Sequence, residues 1–296
     1  RNKNDITQKF RVTPLSFSGW MARTPFRSTL SLQRWRAGSE VLCRSVLLVL
    51  FFLLQHLAPA LVPGASSPLA SWTIRYEDPH VLVVDKGSGL LTVPGIGPEK
   101  ADCMLSRLRD VGYPEVTHAP HRLDRDTSGL VVVGRTPAAH RALCCQFEAR
   151  EVTKHYEALV LGWPAADEGE VDQPIAKVQF EGESHARMRI LQGGKGRPSL
   201  TRWRVLDRSQ LADGTRFARV TLLPVTGRAH QLRLHMRHAG WPLLGDELHG
   251  TDEAAAAFPR LCLHASSLSF KHPAAQRTGG TDCTDGVVTV SSDAPF

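Results

Sequence analysis

Residues 121–130, His-Arg-Leu-Asp-Arg-Asp-Thr-Ser-Gly-Leu, set two carboxylates, Asp124 and Asp126, among Arg122, Arg125 and His121. A carboxylate beside fixed guanidinium groups has a lowered pKa and stays ionised near neutral pH. That state suits a nucleophile or a base better than a proton donor. The two acids lie two residues apart on one segment, so they are badly placed to flank a sugar from opposite faces, as glycoside hydrolysis demands. Two further stretches carry reactive side chains. One is Lys154-His-Tyr-Glu-Ala-Leu-Val160. The other is Gly227-Arg-Ala-His-Gln-Leu-Arg-Leu-His235, followed by Gly245-Asp-Glu-Leu-His-Gly250.

Other chemistries find no support. His121-Arg122 is not followed directly by Asp and lacks the spaced Asn of a kinase catalytic loop. No Gly-x-Ser-x-Gly and no phosphate-binding glycine loop occur, so no nucleotide cofactor is implied. His230, His235 and His238 lack the His-Glu-x-x-His arrangement and sit among arginines that repel a cation, so no metal is expected. The six cysteines form no Cys-x-x-Cys pair and read as reduced thiols.

The elements that must position these groups are readable from period and punctuation. The motif at 121–130 leads into the apolar run Leu130-Val-Val-Val133. Trp72–Tyr76 and His80–Asp85 read as strands, the second nearly all apolar and therefore buried, with a turn at Lys86-Gly-Ser-Gly89. Met104, Leu105 and Leu108 mark a short helix before Gly112. Thr136 and Pro137 are N-cap and first residue of a helix reaching about Glu151. Lys154–Leu161 alternates as a half-buried strand, and 187–191, 201–206, 217–224 and 260–270 read as further strands. If 227–239 ends in a helix, His230, Arg233 and Arg237 share one stripe and Leu232, Met236 and Ala239 another. Short strands with a few inserted helices indicate an α+β fold with a mixed, mostly antiparallel sheet.

The chain has 296 residues and a net charge of +7. Residues 1–45 hold nine basic and two acidic residues, and the rest balances at 27 of each. Any polyanion must therefore meet a locally basic face of the body. The basic start, the charge-free run around Val46–Leu54 and the small residues near 58–66 form a signal-like pattern. Residues 1–70 are thus expected to be an address for an organelle, a plastid or a mitochondrion. A membrane anchor, or a cytoplasmic protein, is the alternative. The body is expected at 71–273, and 274–296, without period, as a disordered tail.

Read together, these stretches resemble the RluA-type pseudouridine synthases. His-Arg-Leu-Asp-x-x-Thr-Ser-Gly-Leu at 121–130 is similar to that family's signature. Val81–Leu91, Lys154–Val160 and the blocks at 227–235 and 245–250 resemble its other segments, in the same order, over residues 74–273. Gly87 stands where the family usually has proline. The resemblance implies the family's catalytic fold with a cleft across the sheet, and isomerisation of uridine in structured ribosomal or transfer RNA without a cofactor. It places the essential carboxylate on Asp124, the aromatic face of the uracil pocket on Tyr156, and the cation on Arg233, expected to pair with Asp124. Leu232 matches an apolar wall, with His230 and Gln231 beside it. Arg122 is expected to fill the space left by a flipped base, with Arg125, Arg228 and Lys86 adding phosphate contacts. The protein is expected to act as a monomer. A non-catalytic RNA-binding or ribosome-assembly protein on the same fold is the alternative.

Overall fold

A computed structural model describes residues 71–211, 213–275 and 286–296. The expected address at 1–70 lies outside them. No helix among the described residues is long and apolar enough to cross a membrane.

Among the described residues, eleven strands and four α-helices follow in order: β1 (Trp72–Glu77), β2 (Val81–Lys86), α1 (Met104–Asp110), β3 (Ser128–Gly134), α2 (Pro137–Glu148), β4 (Thr153–Leu161), β5 (Glu168–Asp172), β6 (Ile175–Val178), β7 (Arg187–Ile190), β8 (Leu200–Gln210), β9 (Arg216–Pro224), α3 (Gln231–His238), α4 (Asp252–Ala256), β10 (Leu263–Lys271) and β11 (Val287–Ser291). The main sheet runs β1-β2-β3-β10-β4-β9-β8-β5, while β6 and β7 form a separate hairpin. The β2 residues 81–84 are buried on both faces, as their unbroken apolar run requires. Thr136 caps α2 through a bond from the Ala139 amide to its hydroxyl at 3.1 Å, and Pro137 opens the helix.

All pairings in the main sheet are antiparallel except β3 with β10, which touch only where Ser128 and Gly129 face His264 and Ala265. Gly129 makes that contact possible. A Cβ there would lie 2.4 Å from the Ala265 backbone, and its φ of 111° is closed to most side chains. The loop at 121–127 therefore empties into the seam between two halves of the sheet. One apolar cluster holds β2, β3 and α1 side chains, and another holds β4, β8, β9 and α3 side chains. Tyr156 packs against both.

The disordered tail needs correction. Residues 287–291 pair antiparallel with Ser267–Lys271 of β10. Because β4 occupies the other edge of β10, this strand covers the edge that β3 leaves after two residues. An unpaired central edge would leave amides and carbonyls unsatisfied. The alternation Val-Val-Thr-Val is short and follows a Gly- and Thr-rich stretch, which hides it among polar residues.

Candidate active site

Asp124 sits in the loop between α1 and β3, and hydrogen bonds from residues 86–92 to the backbone hold that loop. The Thr92 hydroxyl donates to the Leu123 carbonyl at 2.9 Å and accepts from the Leu123 amide at 3.1 Å. The Ser88 hydroxyl donates to the Asp126 carbonyl at 2.7 Å, and the Gly89 amide to the Arg125 carbonyl at 2.9 Å. Lys86 belongs to this clamp. Its side chain is fully buried, and Nζ donates to the carbonyls of Gly87, Leu90 and Arg125 at 2.9, 2.8 and 3.1 Å. Three acceptors match the three protons of an ammonium. Burial pulls its pKa down to about 7, against the pull of Asp126 and Asp124. Lys86 is thus not a phosphate contact. The sequence shows its charge and hides its burial.

His121 anchors the other end of the loop. Its Nε2 accepts from the Val132 amide at 3.0 Å, and its ring stacks on Phe147 at 4.4 Å. Burial, aided by Lys154, drives its pKa to about 3, so it stays neutral.

Asp124 is a quarter exposed and faces α3. Arg233 Nη1 lies 4.0 Å from one carboxylate oxygen and His230 Nε2 lies 3.9 Å from the other. The expected Arg233–Asp124 ion pair forms, at 4.0 Å, while the hydrogen bonds of the guanidinium go to a second acid. Arg233 is 4% exposed, and its Nε donates to Asp246 Oδ2 at 2.9 Å while Nη2 donates to Oδ1. Burial would raise the Asp246 carboxyl, but the Arg233 hydrogen bond and charge overcome it and hold it below its usual range. The amides of Leu248 and His249 also donate to Asp246, at 3.1 and 2.9 Å. Arg233 is therefore locked by one acid while pointing at another, with its charge only partly spent on Asp124.

Asp246 went unread as a site residue. The signal was present: between Gly214 and Gly250 its only fellow acid is Glu247, and a buried arginine requires a carboxylate. Gly245 helps bring it in, since a Cβ there would fall 1.8 Å from the Arg260 carbonyl oxygen.

His230 adopts a left-handed backbone, φ 57°, at the start of α3. That costs a non-glycine residue about 1–2 kcal/mol and persists only where surroundings enforce it. Here the His249 ring stands edge-on at 4.9 Å with its Nε2 2.6 Å from His230 Nδ1. Burial and Arg233 lower both histidines, His249 to about 4.

The side chains of Asp124, Tyr156, His230, Leu232, Arg233, Arg228 and Arg122 all border one cleft of about 1010 Å³. Burial and the Asp124 charge push the Tyr156 hydroxyl well above its ordinary pKa, so it is a neutral phenol. Arg122 is exposed at the rim.

Of the two remaining expected contacts, Gln231 borders the cleft and Arg125 does not. Arg125 is exposed, pairs with Asp126 at 3.0 Å, and neither lines the cleft. Gln231 is spent on the fold. Its Nε2 donates to the Leu200 carbonyl and Thr201 hydroxyl, both at 3.0 Å, and its Oε1 accepts from the Thr226 hydroxyl and Arg228 amide at 2.8 and 3.1 Å. It fixes the loop before α3 and has no side-chain proton left for uracil. On α3, Arg237 leaves the predicted cleft stripe. It is exposed and donates to the His249 carbonyl at 2.8 Å.

The cleft wall carries Arg122, Arg150, Lys154, Arg197, Arg202, Arg228 and Arg233 against Asp124 and Glu148. The described body is near balance in charge, but this face is strongly basic, as a polyanionic substrate requires.

The fold and this face match known proteins. A family model for RNA pseudouridylate synthases matches residues 80–238. The chain belongs to that family. It is 44% identical to a dual-specificity RNA pseudouridine synthase of Vibrio parahaemolyticus over 216 residues, covering 70% of this chain and 80% of that protein. Its Escherichia coli counterpart is also 44% identical, over 70% of this chain and 90% of the relative. Among solved structures, human RNA pseudouridylate synthase domain containing 1 superposes with a TM-score of 0.61 at 30% identity, covering 80% of this chain and 87% of that one. Human RNA pseudouridylate synthase domain containing 4 shares the fold at 0.54 and 23% identity, over 75% and 88%. The chain is an RNA pseudouridine synthase of the RluA type, an isomerase acting on uridine in RNA.

Proposed function

We propose that Asp124 is the essential carboxylate, and that the enzyme modifies flipped-out uridines in folded ribosomal and transfer RNA. The observation that carries the first part is the setting of Asp124: a carboxylate on the wall of a basic cleft, with Arg233 4.0 Å from it and held by Asp246. The dual-specificity names of the relatives support the second.

Isomerisation breaks the bond from uracil N1 to C1′, turns the base, joins C5 to C1′, removes the C5 proton and leaves a proton on N1. Asp124 acts at the ribose or the base in the first step. Arg233 stabilises the carboxylate without neutralising it, because its two best donors are held by Asp246. The Tyr156 ring, between the two apolar clusters, offers a stacking face, worth about 1–3 kcal/mol per base. As a neutral phenol it can take the C5 proton only while giving up its own. Asp124, whose charge acts on that hydroxyl, is the group to receive it. Arg122 at the rim fills the stack vacated by the flipped base.

We place the protein in an organelle, addressed by residues 1–70, and acting as a monomer. Mapping pseudouridine in total and organellar RNA with and without the protein tests the substrate. Unchanged maps would overturn it and favour the RNA-binding alternative. Imaging tagged chains with and without residues 1–70 tests the address, and light scattering of the purified enzyme tests its state.

A further inference from the structure

We propose that Arg150, Arg197 and Arg228 form a clamp for backbone phosphates of the RNA strand that leaves the cleft. This deepens the RNA reading and rests on it.

The three residues come from separate places: the turn after α2, the segment between β7 and β8, and the loop between β9 and α3. All border the same cleft. Of the other cleft cations, three face a partner of their own. Arg202 pairs with Glu170 at 3.6 Å, Arg233 is held by Asp246, and Lys154 lies 6.0 Å from the Phe147 ring centroid. Arg122 stands beside Asp124 in sequence and on the cleft wall. Among the described residues, no carboxylate pairs with Arg150, Arg197 or Arg228. The only side-chain bond made by the three is a long one, from Arg228 Nε to the Pro198 carbonyl at 3.4 Å, and it sets that guanidinium beside the Arg197 segment. Burial and then the charges of Arg197 and Arg150 push Arg228 below its ordinary pKa. The Arg228 guanidinium therefore feels both of the other charges, with Glu148 the one other acid on the cleft wall besides Asp124.

Each backbone, by contrast, is anchored. Arg197 exchanges both backbone bonds with Ile175, at 2.9 and 3.0 Å. The Arg228 amide donates to the buried Gln231. Arg150 holds a left-handed turn, φ 61°, at a helix end where glycine is the usual choice. Fixed backbones with uncommitted guanidinium groups are preorganised for an anion that accepts several N–H donors. A phosphodiester presents those oxygens and a negative charge. The clamp fixes the strand's register, and it carries no base preference of its own.

The experiment replaces Arg150, Arg197 and Arg228 by Gln, singly and together. Arg109, exposed on α1 and away from the cleft, is the control. Binding to total transfer RNA is measured from 50 to 200 mM salt, with turnover on the same RNA. Each lost phosphate contact removes about 0.7–0.9 from the slope of log affinity on log salt. The triple variant should lose about 2.1–2.7, raise KM strongly, keep kcat within about two-fold and melt like the parent. Arg109→Gln should change none of these. An unchanged slope in the triple variant with the parent enzyme active overturns the clamp alone. So does an equal loss at Arg109, or a fall in kcat at constant KM. A parent enzyme that forms pseudouridine in no RNA removes the reading beneath it as well.

Discussion

Asp246→Asn tests whether a residue outside the motif governs Asp124. The carboxylate is 1% exposed and takes two guanidinium donors and two backbone amides. Asparagine keeps one oxygen for the amides and turns an NH₂ group toward Arg233 Nε, donor against donor. Removing one partner of a buried ion pair costs about 3–5 kcal/mol. For a domain of this size that lowers Tm by about 6–20 °C. Arg233 has one other acid within reach, Asp124, 4.0 Å from its Nη1. The freed guanidinium should close that gap and tie the Asp124 carboxylate into a direct pair. Turnover should then fall at least ten-fold, about 1.4 kcal/mol of barrier, at a temperature where the variant is still folded. The assay combines urea unfolding with tritium release from RNA labelled at uridine C5. The double variant Arg233→Met with Asp246→Leu should regain much of the lost stability and none of the activity. A destabilisation below about 1 kcal/mol, or full turnover in Asp246→Asn, would refute the reasoning.

Asp124→Asn should abolish product while RNA binding and melting persist, and more than a tenth of parent turnover would disqualify Asp124 as the essential group. Lys86→Met strands the buried Leu90 carbonyl and loosens the Asp124 loop. About 2–4 kcal/mol of stability should go, judged by unfolding, together with kcat; a variant as stable and active as the parent would show that Lys86 is no clamp. His121 and His249 titrate near 3 and 4 in the fold. The unfolded chain takes up those protons near 6.5, so their contribution is complete above pH 6.5. It declines as pH falls toward 4 and 3, by up to about 1.4 kcal/mol per pH unit for each group. His121→Phe should remove one proton from that slope, measured by urea unfolding between pH 7 and 4, and an unaltered slope would mean that His121 is charged in the folded state.

Local signals told much of this protein's story before any contact was known. The buried run at 81–84, the Thr136–Pro137 start of α2 and the Asp124 loop entering β3 are fixed by period, capping and turn chemistry within a few residues. The motif's contiguity placed Asp124, and the matched blocks placed Tyr156, Leu232 and Arg233. Tertiary structure decided which charges meet. Lys86, Gln231 and Arg125 look like surface groups in the sequence. Nonlocal packing spends Lys86 on backbone carbonyls and Gln231 on backbone groups and two threonine hydroxyls, and it leaves Arg125 off the cleft wall. Asp246 takes Arg233 because Gly245 allows its chain to approach Arg260. Arg150 and Arg197 reach the cleft through a helix end and a strand bridge that no period announces. The strand at 287–291 exists because β3 and β10 part after two residues and leave an edge to be covered. A side chain's type limits the partners it can accept, but sheet register and chain crossings choose among them.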